Sequence, residues 1–254
     1  MVEVRVRDFM TAPVVTEGPE ASMGVLSAVL RLRRISAVPI LDEGNLVGIV
    51  STTDILRAPA TARAKDVMSR HVVVAFPDES LDDASRRLAA GRVHRVVAVD
   101  RQSETKVTGV LAACDVLRAV RTRRIVEPIS AIMTTSVETI DIGDSIDEAC
   151  DALAHSNVHG LVVVDAGAPV GVFTHAEALA ALRLPRSLRR SSVEDLVNYE
   201  TICLDTLTPI YRAAAYVASM NVRRVLVVEK RRVVGIVSCL DLVDVLSRTP
   251  ESSS

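Results

Sequence analysis

Four times along the chain a glycine is followed by two apolar residues, a small residue and, at fixed spacing, an acid: GIVSTTD (Gly48 to Asp54), GVLAACD (Gly109 to Asp115), GVFTHAE (Gly171 to Glu177) and GIVSCLD (Gly235 to Asp241). Repetition of this kind constrains the fold more than composition does, because each repeat is one supersecondary unit that must bury its apolar face against another copy. Each motif sits in the same longer series. The openings read VRDFMTAPVVT, AKDVMSRHVVV, ISAIMTTSVET and VEDLVNYETIC, and an amphipathic stretch follows, as in Ser22 to Leu32 and Ser145 to His155. Apolar residues recur there with a period of about 3.6, which predicts a helix. A strand comes next (AVPIL, RVVAVD, LVVVD, VLVVE), then a turn such as DEGN (Asp42 to Asn45) or DAGAP (Asp165 to Pro169), a second strand and a closing helix. The offsets from Met10 to Asp54, Met133 to Glu177 and Val197 to Asp241 are identical, and unit two differs only by its longer turn, DRQSETK.

Each unit therefore reads β-α-β-β-α, and the chain as an α/β protein of the α+β type with four repeats. The boundaries expected are 1–60, 61–122, 123–186 and 187–250, with a flexible tail at 251–254. A unit this small cannot cover both faces of its sheet, so the units should pack in pairs. The short connection PATAR joins units one and two. The later connections, RTRRIVEP between units two and three and RLPRSLRRSS between three and four, are polar and Arg-rich, and pairing one with two and three with four is the simplest arrangement.

Composition removes several function classes. Of the 254 residues 49% are hydrophobic and 24% charged, so the chain folds around real cores. Lys and Arg number 30 against 32 Asp and Glu, so no overall field draws it to nucleic acid or an anionic membrane. Aromatic residues make up 2%, which leaves little for base stacking. The start MVEVRVRDFM lacks a signal-peptide core, and the apolar runs are too short to span a bilayer. Cys114, Cys150, Cys203 and Cys239 show neither zinc-ligand spacing nor a disulfide framework, and Cys114 and Cys239 read as small buried fillers. A reducing, cytoplasmic location is expected. His71, His94, His155, His159 and His175 form no metal spacing, and no nucleophile elbow, P-loop or GxGxxG occurs, so no enzyme is expected.

The ordered recurrence of an MT-type opening, a helix, a PV- or VV-type strand and Gly-apolar-apolar-Ser/Thr-x-x-Asp before a last helix resembles the CBS domain, named for cystathionine β-synthase. The resemblance covers nearly the whole chain as four domains, or two Bateman modules. It implies pairs packed about a pseudo-twofold axis, with clefts that bind AMP, ADP, ATP or S-adenosylmethionine and regulate a partner protein. The two modules would close on each other within one chain, as in the gamma subunit of the AMP-activated kinase, or dimerise with a second chain.

The motif acid has two uses. Ser51-x-x-Asp54, Thr174-x-x-Glu177 and Ser238-x-x-Asp241 each fit a capping box, which needs no ligand. The same carboxylate can accept from two ribose hydroxyls while the hydroxyl residue donates to a phosphate, with Ile49 and Val50, or Val237 in unit four, against the adenine. The resemblance places the phosphate's positive partner at the start of the first strand in the paired domain. Ser51 and Asp54 with His94 and Arg95 then make the complete set. Ser238 and Asp241 with His159 and Gly160 lack an Arg, while Thr174 and Glu177 with Arg223 and Arg224 carry a longer acid. Ala112 and Asp115 facing Ser36 and Ala37 lack hydroxyl and base, so that cleft is expected to be empty or weak. Two other readings stand beside this one. One is a scaffold in which the motifs only cap helices. The other is a nucleic-acid-associated protein using the runs Arg118, Arg121, Arg123, Arg124 and Arg183, Arg186, Arg189, Arg190.

Overall fold

The computed structural model describes residues 4–120, 124–156, 158–220 and 222–248. Unit one contains α1 (Met23–Arg33), β1 (Ala37–Asp42), β2 (Asn45–Ser51) and α2 (Thr52–Arg57). Unit two contains α3 (Ala64–Val67), β3 (Val74–Ala75), α4 (Leu81–Ala90), β4 (Arg95–Val99), β5 (Val107–Ala112) and α5 (Ala113–Val120). Unit three contains β6 (Thr139–Asp141), α6 (Ile146–His155), β7 (Gly160–Asp165), β8 (Ala168–Thr174) and α7 (His175–Ala181). The Arg-rich connection that follows forms a short helix, α8 (Arg186–Arg189). Unit four contains β9 (Cys203–Asp205), α9 (Ile210–Met220), β10 (Arg224–Glu229), β11 (Arg232–Ser238) and α10 (Cys239–Arg248).

Local chemistry explains these elements. Ser22, Ser80 and Ser145 cap α1, α4 and α6 through their hydroxyls, which accept from Val25, Asp83 and Glu148 N–H groups. The hairpins of units one, three and four turn through two left-handed residues each: Glu43–Gly44, Ala166–Gly167 and Lys230–Arg231. In units two, three and four the first strand runs parallel to the central strand, which pairs antiparallel with the third. Unit one differs, because only Glu17 bridges to Ile40 and its sheet has two regular strands.

Each opening segment lies on the sheet of the paired unit rather than its own. Thr11 of unit one pairs with Val110 of unit two, and Ser69 of unit two returns to Ile49 of unit one. Units three and four repeat the exchange through Thr134 with Ile236 and Asn198 with Val172. The pairing of one with two and three with four is thereby built from reciprocal backbone hydrogen bonds, such as Ile49 N–H to Ser69 O and Ser69 N–H to Ile49 O, both 3.0 Å. The motif glycine makes room for this approach. A Cβ at Gly48 would stand 2.6 Å from Met68 Sδ, and one at Gly171 would stand 2.7 Å from the Asn198 carbonyl oxygen. Gly109 meets Met10, and Gly235 meets Met133, in the same way.

The two modules face each other within the chain, but unevenly. Units two and four fuse into one core in which Leu81, Leu88, Leu111 and Leu117 pack with Ile210, Val217, Val237 and Leu242. Units one and three keep separate cores, joined where Leu179 of α7 enters the first and Leu56 of α2 borders both. The reading of the cysteines is corrected here: Cys114 and Cys239 form a disulfide, with Cα atoms 5.6 Å apart across 125 positions of sequence. Spacing rules detect only local frameworks, whereas this bond arises from the packing of unit two on unit four. Cys150 and Cys203 are free. Residues 121–123 and the tail 251–254 lie outside the described residues, and so do Arg121 and Arg123.

The glycine contacts separate rigid from yielding neighbours. Gly171→Ala should cost about 1–3 kcal/mol in urea unfolding, since a backbone carbonyl has to move. Gly48→Ala should cost less and be partly rescued by Met68→Ala, because part of its obstacle is a flexible thioether. Val197→Ala should rescue Gly171→Ala less, because the Asn198 carbonyl oxygen remains 2.7 Å from the added Cβ.

Candidate functional site

All four motif acids sit at the third position of a closing helix or its equivalent and spend one oxygen on the helix start. Asp54 Oδ2 accepts from Ser51 N–H and Ser51 Oγ, both at 2.7 Å, while Asp54 N–H donates to Ser51 Oγ at 3.3 Å. Ser238 and Asp241 repeat this at 2.8, 2.7 and 3.3 Å. Glu177 Oε2 accepts from Thr174 N–H at 2.8 Å and from Thr174 Oγ1 at 2.5 Å. The capping box is therefore present in three units. Among the described residues the second oxygen of Asp54, Glu177 and Asp241 makes no hydrogen bond. Asp115 is different: one oxygen accepts from Ala112 N–H at 2.9 Å, and the other accepts from Arg118 Nη2 at 2.9 Å. The unit that lacks a hydroxyl thus also has no open carboxylate oxygen.

Strand register fixes what stands opposite each motif. Ala37 pairs with Ser51, Arg95 with Ala112, Gly160 with Thr174 and Arg224 with Ser238. From its place on β10, Arg224 reaches into unit three and donates from Nη2 to the His159 carbonyl at 3.2 Å. Gly160 has no side chain because the Arg224 guanidinium occupies that space, with Thr174 Cγ2 only 3.2 Å from where a Cβ would stand. Glu177 lies close enough to Arg223 and Arg224 to favour their charged forms, but among the described residues no hydrogen bond or ion pair joins them. His94 and Arg95 reach instead towards the middle of the molecule, and among the described residues no hydrogen bond or ion pair joins them to Asp54. Of the apolar residues before the hydroxyls, Val50 and Val237 are 0% exposed and belong to the cores, because alternate residues of a strand face opposite sides. Ile49 faces the accessible side.

At the middle, groups from all four units meet. The His94 and His159 rings lie edge to face with centroids 5.3 Å apart, and His159 and His175 do the same at 5.5 Å. Thr53 Oγ1 of unit one stands 3.2 Å from His175 Nδ1, and His175 is only 8% exposed. Arg95, Arg223 and Arg224 complete the group. Arg95 and Arg224 are half-buried, and Arg223 is exposed. Burial, followed by mutual repulsion with Arg223, pushes Arg95 and Arg224 down to about 10. Burial first, then the neighbouring imidazole and arginines, pushes His94 and His175 down to about 4, and His159 shifts the same way. The imidazoles are therefore neutral at pH 7. Among the described residues none of the three arginines forms an ion pair with a carboxylate. The arrangement is a cluster of like-charged guanidiniums beside neutral imidazoles, chemistry suited to an anion.

Thr53 and His175 escape sequence reasoning, because they are 122 positions apart and only the facing of units one and three joins them. In the two arginine runs, Arg118 pairs with Asp115, Arg189 with Asp147 at 3.5 Å, and Arg124 lies over the Tyr211 ring. Arg183, Arg186 and Arg190 are exposed. Among the described residues no cluster of His, Cys, Asp and Glu can hold a metal, and no helix is long and apolar enough to cross a membrane.

Comparison with known proteins gives the following. The family model described as CBS domain matches residues 6–61, 64–122, 129–184 and 193–248. The CBS domain-containing protein YhcV of Bacillus subtilis is 30% identical over 116 residues, 43% of this chain and 81% of that protein. For the next curated relatives the chain covers only 25%, 21% and 22% of their length. Protein MJ1225 from Methanocaldococcus jannaschii, described as a candidate archaeal homolog of g-AMPK, superposes with a TM-score of 0.83 at 17% identity over 95% of this chain and 99% of its own. An uncharacterised conserved protein from Pyrococcus horikoshii does so with a TM-score of 0.67 at 24% identity, over 96% and 100%. These solved structures share the fold. With the motif matched in all four units and the exchanged openings linking them in pairs, the chain belongs to the CBS domain family.

Proposed function

We propose that the chain is a non-catalytic regulatory module that binds an adenine nucleotide between its domains and passes the ligand state to a protein partner. The observation that carries this reading is the group Arg95, Arg223 and Arg224, which repel one another and among the described residues form no ion pair with a carboxylate. Neighbouring guanidiniums that repel one another are costly to hold together, so a phosphate that neutralises them stabilises the group. Asp54, Glu177 and Asp241 retain an oxygen for ribose hydroxyls without losing their caps. The sets offered to ligand are Ser51 and Asp54 with His94 and Arg95, Thr174 and Glu177 with Arg223 and Arg224, and Ser238 and Asp241 with His159 and Gly160, with Ile49 against the base.

AMP, ADP or ATP fits this charge better than S-adenosylmethionine, whose sulfonium cation the arginines repel. The matched family and the overall likeness to a protein described as a candidate g-AMPK homolog agree with a regulatory role. A nucleic-acid role gains little support, because Arg118, Arg124 and Arg189 already have partners within the chain. Ligand moves the partner only by binding one packing of the units better than another.

Titration calorimetry tests the reading. ATP, ADP or AMP should bind, adenosine and S-adenosylmethionine at least about tenfold more weakly, and Arg224→Ala should lower nucleotide affinity about 10–100-fold. Arg124→Ala should leave it unchanged. A protein that binds none of the three nucleotides at millimolar concentration, while folded, overturns the reading and leaves the scaffold.

Protonation supplies a second check. His94 and His175 are neutral down to about pH 4 in the empty protein, and an anion beside them raises their proton affinity. The bound state then holds more protons than the free state, so nucleotide affinity should rise as pH falls from about 6.5 towards 4. Without ligand the same shifts have the opposite consequence: the unfolded chain binds more protons below about pH 6.5, so stability falls from there towards pH 4. Calorimetry in buffers of different ionisation enthalpy should detect proton uptake, reduced in His94→Asn.

A further inference from the structure

The two seams at which the modules meet are latched at equivalent positions by different chemistry. Aligning the motifs GIVSTTD and GVLAACD sets Thr53 against Cys114, and aligning GVFTHAE and GIVSCLD sets His175 against Cys239. Thr53 and His175 touch across the seam of units one and three at 3.2 Å. Cys114 and Cys239 are bonded across the seam of units two and four. The pseudo-symmetry of the fold thus brings the same pair of positions together twice, at the starts of α2 and α7 and of α5 and α10. One contact is a hydrogen bond and the other covalent.

We infer that Cys114 and Cys239 are a reversible thiol–disulfide site that locks the second module onto the first, with a small-molecule disulfide of the glutathione type as its oxidant. The Cα separation of 5.6 Å lies within the range a disulfide spans without backbone movement. The Val222 carbonyl oxygen lies 3.6 Å from Cys239 Sγ and 4.0 Å from Cys114 Sγ, an acceptor within reach of a thiol S–H once the bond is opened. Cys114 is half-buried, whereas Cys239 is 2% exposed, so the incoming disulfide meets Cys114 first. The Cys114 thiolate attacks one sulfur of the reagent and expels a thiolate. Cys239, having lost its proton, then displaces the second thiolate from the mixed disulfide. Two electrons pass to the reagent, which leaves as two thiols carrying the two cysteine protons.

The placement gives the bond its effect. It ties the starts of α5 and α10, next to Asp115 and Asp241, on the side where units two and four already share one core. Units one and three keep separate cores, so the linked side is the fixed one and the other the side free to open. The inference does not depend on which ligand the clefts bind.

The test uses the whole chain with Cys150→Ser and Cys203→Ser, equilibrated in glutathione buffers from reducing to oxidising. The oxidised protein should be lighter by two hydrogen atoms, give a linked peptide containing Cys114 and Cys239, and revert on added dithiol without unfolding. Its melting temperature should exceed that of the reduced form by on the order of 5–15 °C, and the gap should vanish in Cys114→Ala and in Cys239→Ala. A variant melting like the reduced parent shows that loss of the bond, not of the fold, is being read. Cysteines that both stay open to alkylation in oxidising buffer, equal melting temperatures in the two states, or a bond that yields to dithiol only after unfolding would each overturn the inference.

Discussion

The backbones of paired units approach so closely at the motif glycine that a side chain there collides with the neighbour's opening segment. Everything else in the molecule depends on that approach. It lets the opening of unit one form an antiparallel bridge with unit two while unit two's opening returns to unit one, so neither unit is complete alone. The exchange also orients the closing helices outward in pairs, and those helices are what the opposite module packs against. A small glycine contact thereby sets the position of the motif hydroxyls and acids relative to the strand starts of the neighbouring unit.

The consequence at the centre is electrostatic. Two modules packed on each other bring strand starts and helix starts from different units together, and in this chain those positions carry histidines and arginines. Burial keeps the imidazoles neutral, so the positive charge there rests on the guanidiniums. Capping and binding are compatible uses of the neighbouring acids, because a carboxylate has two oxygens and the helix start claims only one. Where Arg118 claims the second, in unit two, the motif is reduced to a cap.

Departure from symmetry decides where the two modules are joined most extensively. Units two and four merge into a single core closed by the Cys114–Cys239 bond, and units one and three meet through the shorter helices α2 and α7 with Thr53 against His175. The four repeats are therefore equivalent in topology but unequal in packing. That inequality distinguishes the two seams of the molecule.

Much of this was legible in the residues. Repeats, helix caps and hairpin turns are local in sequence, set by neighbours a few positions apart, so Ser51, Thr174 and Ser238 announce their capping boxes and Gly44 and Gly167 their turns. Pairing of adjacent units followed from short connections and the need to cover a sheet. What lay beyond reach was contact between elements more than a hundred positions apart: Cys114 with Cys239, Thr53 with His175, and the turning of Val50 and Val237 into the cores. Sequence by itself determined the unit and its number, because periodicity and turn chemistry act within a few residues. Only the tertiary structure decided which side chains share the centre and which cysteines bond, because those depend on how two modules close, and distance in space is not written in distance along the chain.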